Sequence, residues 1–410
     1  MSLNKWTRIY YTKLIDSIAF YPAIIAFVFL FLSWIMLELD FSTYGREVKL
    51  GLSWLSLKDA TTARTIISTV AGAIISLTVF SFSMVMIVLN QAASQMSNRV
   101  LNSMIENRFQ QIILGIYIGT IVYALFLLST IRDISSGIYV PALSIYLLIF
   151  LTVIDVFLFI YFLDYVTQTV KYETVIDRVK KQTMISMERN YSEISEKTLT
   201  WSELPYVEIK AQKSGYFQDF NEKRLLQICQ ENDFYISFIY REGTFLLEET
   251  PCLLLYNKGN INSNILHEIA DSVDFYSGQP IDRNADYGFH QLAEIAIKAL
   301  SPAINDPATA VLSLHALVSL LKFKMTHELP TLLYDEENTA RIYRPNSSFM
   351  QNFKKCIEGV WNYGKNDQYI QNELFEMIQQ LQRIDYKKQF TPTFEAWLEK
   401  IGAAKLKSSL

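Results

Sequence analysis

The sequence predicts an integral membrane α-helical domain with four spans, followed by a soluble α+β cytoplasmic domain. Half of the 410 residues are hydrophobic and 19% are charged, whereas soluble globular domains carry about 25% charged residues. Four long apolar stretches lie within the first 165 residues, and beyond that point charged residues become frequent. The chain therefore divides into a membrane half and a cytoplasmic half.

The four spans follow from the length of the apolar stretches, because a spanning helix needs about 20 predominantly apolar residues. Residues 17–37, 65–98 and 109–131 contain no charged side chain, and residues 141–163 contain a single acid, Asp155. We therefore predict spans at about residues 17–37, 65–95, 109–131 and 141–163.

The orientation follows from the basic residues that flank the spans, since Lys and Arg are enriched on the cytoplasmic side. Nine lie on the side that holds both termini: Lys5, Arg8, Lys13, Arg99, Arg108, Lys171, Arg178, Lys180 and Lys181. Five lie on the other side: Arg46, Lys49, Lys58, Arg64 and Arg132. This asymmetry predicts a multi-pass protein with both termini in the cytoplasm.

The second span has an unusual length and an unusual face. As a helix, residues 65–98 would extend about 51 Å, against a hydrocarbon core of ~30 Å. Polar residues recur every seven positions along it, at Thr69, Ser76, Ser83 and Asn90. Two interpretations of this face stay open: close packing between helices, or the lining of a water-filled pore between symmetric subunits.

Asp155 is the single charged residue deep inside a predicted span. An acid exposed to lipid at the centre of a helix costs about 2.5 to 3.5 kcal/mol on insertion scales, so this one should face the bundle interior. It is either a protonated acid bonded to a neighbouring Ser or Tyr, or part of an ion pathway. We include it with the four polar residues of the second span as a pore-lining candidate.

The cytoplasmic half reads as three parts. Residues 166–200 interleave acids and bases, which is typical of a solvated helical stalk. Residues 201–260 predict a small β-rich domain, with strands at 206–211, 234–240 and 251–256 and one helix at 222–231. Residues 261–410 predict a mainly helical part.

The segment SPAINDP, residues 301–307, separates two predicted helices in this last part. Asp306 is well placed to cap the second helix, with Pro307 at its first position, which explains both residues without a ligand. His290, Ser301 and Asn305 have no such ready explanation. Together with Asp306 they are the binding candidates of the cytoplasmic domain.

The longer motif ALSPAINDPATA, residues 299–310, resembles a family of predicted bacterial inner-membrane proteins that is catalogued as a domain of unknown function. Further matching segments are Ala63-Arg64, Ala71-Gly72, Phe82-Ser83, Ala93-Ser94-Gln95, Arg99, Ser214-Gly215-Tyr216, Gly243, Pro251, Asp286 and Gly288-Phe289. The resemblance covers nearly the whole chain. It implies a location in the bacterial inner membrane and spans followed by a cytoplasmic tail, and it implies no activity.

The chemistry of the side chains argues against most enzyme classes. The four histidines are scattered without a metal-ligand spacing, and the sequence has no Walker, G-x-G-x-x-G or G-x-S-x-G motif. Cys229, Cys252 and Cys356 lack C-x-x-C spacing, which predicts reduced structural thiols. We therefore predict no cofactor, no metal site and no catalytic residue, although an unfamiliar enzyme stays possible.

Two functional hypotheses follow. The preferred one is an oligomeric channel or transport protein for small ions, in which the second span lines the path and the cytoplasmic domain regulates it. The alternative is a membrane-anchored sensor or adaptor whose cytoplasmic domain binds a ligand or a protein. The expected partners are membrane lipid, further copies of the chain and small ions. A net charge of -4 leaves no basic footprint for nucleic acid.

Overall fold

The computed structural model describes residues 19–51, 57, 59–95, 108–131, 133–134, 137–138, 140–169, 171–193, 201, 203–257, 262–276, 281 and 284–408. It divides into two compact units, Met1–Lys171 and Tyr172–Leu410. Residues 17–18 and 96–98 of the predicted spans, and residues 194–200 of the predicted stalk, lie outside the described residues.

The N-terminal unit contains the spanning helices. Its described helices are α1 (Phe20–Phe41), α2 (Thr43–Gly51), α3 (Ala60–Gln95), α4 (Arg108–Thr130) and α5 (Ala142–Thr169). All of these except α2 are long and apolar enough to cross a membrane. The four predicted spans are thus confirmed, although α3 begins five residues earlier than predicted and α5 ends six residues later. A short hairpin of β1 (Asp133–Ile134) and β2 (Gly137–Ile138) precedes α5.

Helix α4 is the centre of this unit and packs against α1, α3 and α5. Two glycines set the distance between α4 and α1. A Cβ atom added at Gly115 would lie 2.6 Å from Ile25 Cδ1, and one added at Gly119 would lie 2.7 Å from Phe29 Cγ. This G-x-x-x-G spacing lets the two backbones approach closely, as small residues do between membrane helices.

The C-terminal unit combines helices and sheets. Its described helices are α6 (Tyr172–Asn190), α7 (Glu222–Asn232), α8 (Ser263–Asp271), α9 (Ala285–Ala299), α10 (Pro307–Lys324), α11 (Phe349–Gly364), α12 (Gln368–Ile384) and α13 (Thr391–Ser408). Its described strands are β3 (Ser192–Glu193), β4 (Tyr206–Lys210), β5 (Gly215–Phe220), β6 (Tyr235–Phe238), β7 (Phe245–Leu246), β8 (Pro251–Tyr256), β9 (Val273–Tyr276), β10 (His327–Glu328), β11 (Leu332–Tyr334) and β12 (Ala340–Tyr343). The α+β class predicted from the sequence is therefore confirmed.

The sheets correct the predicted division at residue 260. Strands run in the order β11-β12-β6-β8-β4 in one sheet and β7-β5-β9 in another. Within the larger sheet β12 pairs parallel with β6, and the other pairs are antiparallel. Strands from residues 332–343 thus complete a sheet whose other strands come from residues 206–256. The predicted β-rich and helical parts share one core.

Helix α6 corrects the predicted solvated stalk. One of its faces is buried, with Val175, Val179, Thr183 and Met187 turned inward, and it packs on α9 and α10. A Cβ atom added at Gly288 of α9 would lie only 1.8 Å from Thr183 Oγ1. The missing side chain at Gly288 therefore allows α6 to lie in the core of the C-terminal unit.

Candidate functional site

The polar stripe of α3, which comprises Thr69, Ser76, Ser83 and Asn90, lies on the exposed surface of the N-terminal unit. The opposite face of α3 packs on its neighbours through Ala63, Ile67 and Ile74 and their surroundings. At about 100° per residue, the stripe and the packed face lie roughly 180° apart around the helix. Within one chain the stripe is therefore not a packing surface.

The stripe is about as long as the hydrocarbon core of a bilayer is thick. Twenty-one residues separate Thr69 from Asn90, which is about 32 Å along a helix, against a hydrocarbon core of ~30 Å. Two of its hydroxyls bond back to the carbonyls of the preceding turn: Ser76 Oγ to Gly72 O at 3.0 Å and Ser83 Oγ to Val79 O at 2.9 Å. The protons of these two hydroxyls are therefore satisfied, and their oxygens can still accept hydrogen bonds.

Asp155 lies elsewhere, in the interior of the N-terminal unit. Its side chain is fully buried, and its neighbours are Thr120 and Tyr117 of α4. Ser81, on the packed face of α3, lies beside the Tyr117 hydroxyl. The structure therefore separates the five pore-lining candidates into two places, because Asp155 is enclosed by the helices whereas the stripe lies outside them.

A second buried acid, Asp40 near the end of α1, was not identified from the sequence. Its carboxylate accepts hydrogen bonds from Leu143 N at 3.1 Å, Ser144 N at 2.8 Å and Ser144 Oγ at 2.6 Å. Lys49 Nζ lies 3.2 Å from Asp40 Oδ1. Asp40 thus caps the first turn of α5 from another helix, which satisfies amide groups that a helix N-terminus leaves unpaired. The sequence prediction missed it because the first span was predicted to end at residue 37.

The SPAINDP turn has the structure that its sequence predicts. Asp306 is the N-cap of α10, accepts from Thr309 N at 3.1 Å, and precedes Pro307 in the first turn. Asn305 adopts the left-handed conformation with φ 49, which Asn tolerates better than most residues. Ser301 donates to Lys298 O at 2.7 Å and its carbonyl accepts from Asn305 N at 2.9 Å. Each of these residues therefore has a local role in the turn.

His290 does not join the turn. It lies in the first half of α9, eleven residues before Ser301, a separation of about 16 Å along a helix. Its Nε2 atom lies 3.0 Å from Lys355 Nζ of α11. The four binding candidates of the C-terminal unit therefore do not form one site.

A charged cavity of about 260 Å³ lies in the C-terminal unit. Its charged lining residues are Arg189, Arg241, Arg344, Asp219, Glu222, Glu242 and Asp286. Asp286 bonds to the buried Lys324 ammonium at 2.7 Å and to Asn352 Nδ2 at 2.6 Å. Burial alone would raise the pKa of Asp286, but Lys324 and the hydrogen bonds from Ser347 and Asn352 hold it below its usual value. Asp286 is therefore a satisfied structural ion.

Glu242 is the less satisfied acid of this cavity. Burial raises its pKa to about 7, with Asp219, Asp286 and Glu222 adding to the effect, although the Arg344 guanidinium opposes it. The distance from Arg344 Nη1 to Glu242 Oε1 is 3.7 Å, long for a charge-assisted hydrogen bond. Sequence reasoning missed the cavity, because its residues come from segments between residues 186 and 347 that only the fold brings together.

Among the described residues, no group of three or more His, Cys, Asp or Glu side chains could hold a metal ion. The three cysteines are free and buried. Burial raises the pKa of Cys229 and Cys356 to about 12 and that of Cys252 to about 11, so these thiols are poor nucleophiles.

Comparison with known proteins finds a family model described as "Predicted membrane protein (DUF2254)", which matches residues 15–380. Two similar curated proteins are uncharacterized proteins of Mycobacterium bovis and Mycobacterium tuberculosis, each 22% identical over 329 residues. The match covers 77% of this chain and 63% of each relative, so the chain spans less than two thirds of their length. No solved structure matches the chain at a significant level.

Proposed function

Because the chain belongs to the DUF2254 family of predicted membrane proteins, whose description assigns no activity, we propose a function from the geometry of its residues. The protein is an oligomeric membrane channel or transport protein for small ions. The polar stripe of α3 lines the path between copies, and the C-terminal unit regulates passage. It resides in the bacterial inner membrane with both termini in the cytoplasm.

The exposed position of the polar stripe is the observation that carries this proposal. Facing lipid, Asn90 and the hydroxyl oxygens would lie in a medium that offers them no hydrogen bonds. Facing further copies around a symmetry axis, the same side chains form polar rings along a pore. Gly72 has open space beside it, which would allow a neighbouring helix to approach closely.

The number of copies in the assembly tests whether α3 can surround a path. A monomer or dimer cannot surround a path with α3, whereas a closed ring of three or more can. Native mass spectrometry of the purified full chain in detergent should therefore show three or more copies. A strictly monomeric or dimeric protein would contradict the channel.

Cysteine accessibility tests which face of α3 contacts water. Cys placed at residue 76, 83 or 90 should react with small charged thiol reagents in proteoliposomes. Cys at residue 78 or 85 should not, because those positions lie about 200° away around the helix and are half-buried. The native chain provides the background, since its three buried thiols react slowly. Equal reactivity at the two sets of positions would contradict a wet stripe.

Ion flux tests the path itself. Ser83→Phe should reduce flux through purified protein in liposomes, because the ring narrows the polar surface. Ile75→Phe is a matched control that adds a ring on the exposed surface of α3 about 100° from Ser76. No flux above that of empty liposomes, or equal loss in both variants, would reject the proposal.

Labelling in intact and broken cells tests the orientation of the chain in the membrane. Lys181 is exposed on α6, so a Cys introduced there should label readily in broken cells. In intact cells an impermeant reagent should leave it unlabelled if the C-terminal unit is cytoplasmic. Labelling in intact cells would reverse the topology.

The charged cavity favours a second candidate function, a membrane-anchored sensor or adaptor. Its three arginines and four acids would suit a small ligand that carries both charges. This candidate becomes the better account if the α3 stripe is unreactive and flux is absent, and if small zwitterionic ligands raise the unfolding temperature of the full chain. Arg344→Ala should abolish that effect.

A further inference from the structure

Four buried polar side chains meet in the middle of the spanning helices. We call Ser81 of α3, Tyr117 and Thr120 of α4, and Asp155 of α5 the Asp155 cluster; each is at most 3% exposed. Thr120 lies close to the Asp155 carboxyl, Ser81 lies close to the Tyr117 hydroxyl, and Tyr117 interacts electrostatically with Asp155. Asp155 is thirteen residues from the start of α5 and fourteen from its end, so the cluster lies near mid-membrane.

None of the five side-chain oxygen atoms in the cluster has a hydrogen-bonding partner of good geometry within the described residues. Hydroxyls in these helices usually do have one. Thr78 of α3 donates to Ile74 O at 2.7 Å, and Thr152 of α5 donates to Leu148 O at 2.8 Å. Ser81 and Thr120 forgo that backbone bond, although an unpaired polar atom in apolar surroundings is costly. The cluster therefore leaves buried oxygen atoms available to a ligand.

The chemistry of the cluster restricts what that partner is. Its atoms are all oxygen, which suits hard cations and excludes metals that prefer nitrogen or sulfur ligands. Its formal charge is -1, from the Asp155 carboxylate. The basic residues of the described spans, Arg64 and Arg108, lie near the starts of their helices and away from the cluster in the sequence. One monovalent cation neutralises this charge. A divalent cation would leave a net positive charge in the middle of a membrane, which is expensive.

We propose that the Asp155 cluster of each chain binds one hard monovalent metal cation, for which Na⁺ and Li⁺ are the probes. Asp155 supplies the charge, and the hydroxyls of Thr120, Tyr117 and Ser81 supply further ligand oxygens. The cluster lies on the packed face of α3, opposite the polar stripe. The proposal therefore does not depend on the oligomeric path described above.

The test uses the full chain in detergent, with choline chloride replaced by NaCl at constant ionic strength. A ligand that binds only the folded state raises the unfolding temperature, and the rise follows the logarithm of concentration once the site is saturated. Na⁺ and Li⁺ should raise the midpoint by several degrees. Asp155→Asn should abolish the shift, and Thr120→Val should require at least about ten times more Na⁺ for the same shift.

Matched controls keep the result specific. Thr152→Val removes a hydroxyl of α5 that is already bonded within its helix, and Ser83→Ala removes one from the polar stripe; neither should alter the Na⁺ response. Binding of radioactive sodium to wild type and Thr120→Val protein gives a direct measurement that does not require Asp155→Asn to fold. Sodium binding without liposome flux would retain this site and reject the channel.

Two results would overturn the proposal. An equal midpoint with choline and Na⁺ would mean that no metal cation binds. In that case a midpoint that changes between pH 6 and pH 8 in wild type, and not in Asp155→Asn, would assign the site to a proton. An unchanged Na⁺ response in both Asp155→Asn and Thr120→Val would place the cation elsewhere.

Discussion

Asp40 and Asp155 are both fully buried carboxylates of the N-terminal unit, yet their surroundings differ completely. Asp40, near the end of α1, has an ammonium, two backbone N–H groups and a hydroxyl around its two oxygens. Asp155, in the middle of α5, has no hydrogen bond of good geometry within the described residues, although the Thr120 hydroxyl lies close to it. A buried acid whose hydrogen bonds are all made needs no ligand, whereas one that lacks them calls for an explanation such as a bound ion or water. The difference explains Asp40 by its contacts within the chain and underlies the cation proposed for Asp155.

Loss of Asp40 should give the largest effect. Asp40→Ala leaves the Lys49 ammonium and the first amides of α5 without their acceptor, and breaking such a buried pair typically costs roughly 3 to 5 kcal/mol. The unfolding temperature of the full chain in detergent would measure the loss. Asp59→Ala is the control, because Asp59 caps α3 from an exposed position and an exposed cap is worth about 0.5 to 2 kcal/mol. Equal costs for the two variants would remove the basis of the comparison.

The same contrast recurs in the C-terminal unit between Asp286 and Glu242, and pH can reveal it. Glu242 has a pKa of about 7 in the folded chain against an ordinary 4.5. The folded state therefore binds the proton more tightly, so this contribution to stability is full below about pH 4.5 and is lost as the pH rises through 7. Glu242→Gln should be more stable than wild type at pH 8 by roughly 1 to 3 kcal/mol, with little difference at pH 4.5.

Thermal unfolding of both proteins between pH 4.5 and pH 8 measures that difference. Glu222→Gln, an exposed substitution in the same cavity, serves as the control. Because Glu222 adds least to the pKa of Glu242, this substitution should change the pH dependence only slightly. A difference in unfolding temperature between wild type and Glu242→Gln that stays constant across the pH range would mean that Glu242 is as well satisfied as Asp286.

Asp306 should give a smaller effect, since its carboxylate accepts hydrogen bonds only from the amide and the hydroxyl of Thr309 at the start of α10. Asp306→Ala should cost roughly 0.5 to 2 kcal/mol if capping is its whole role. Asn305→Gly should stay within about 0.5 kcal/mol of wild type, because Gly adopts the same left-handed conformation freely. Unchanged stability with lost activity in Asp306→Ala would move Asp306 from the structural group to the functional one.

Asp155 should give the smallest change in stability. In buffer free of Na⁺ and Li⁺, Asp155→Asn removes a charge that has no cationic partner within the described spans, so its free energy of unfolding should equal or slightly exceed that of wild type. Thermal unfolding of the two proteins in choline chloride makes the measurement. A loss comparable to that of Asp40→Ala would show that Asp155 also holds the bundle together.

The sequence predicted some of these features and missed others for physical reasons. Apolar length alone located the four spans, and one acid in an apolar stretch identified Asp155, because both are local properties of the chain. The partners of Asp155 depend on how α3, α4 and α5 are rotated, and a single sequence does not contain those rotations. Asp40 was missed because its partners Leu143 and Ser144 follow about a hundred residues later.

In the C-terminal unit too, local features were predicted and contacts between distant segments were missed. Strand β8 was predicted at its observed bounds and α7 to within one residue, since hydrophobic alternation and helical periodicity are local signals. The parallel pairing of Ile342 with Ile236 joins segments more than a hundred residues apart, so the sheet was predicted without β11 and β12. The solvated stalk was wrong because the charges of α6 lie on one face while Val175, Val179 and Met187 lie on the other.

The contacts of Asp40 also determine the order in which the helices can assemble during synthesis at the membrane. Lys49 is added nine residues after Asp40, but Ser144 follows only after 104 residues. At about 5 to 20 residues per second, that interval lasts roughly 5 to 20 s. During this time Lys49 is the one partner from this set that the ribosome has already made, so Asp40 lacks the amide and hydroxyl donors of α5. Asp40 can leave water only when α5 arrives, which makes its burial one of the last steps in assembling the helices.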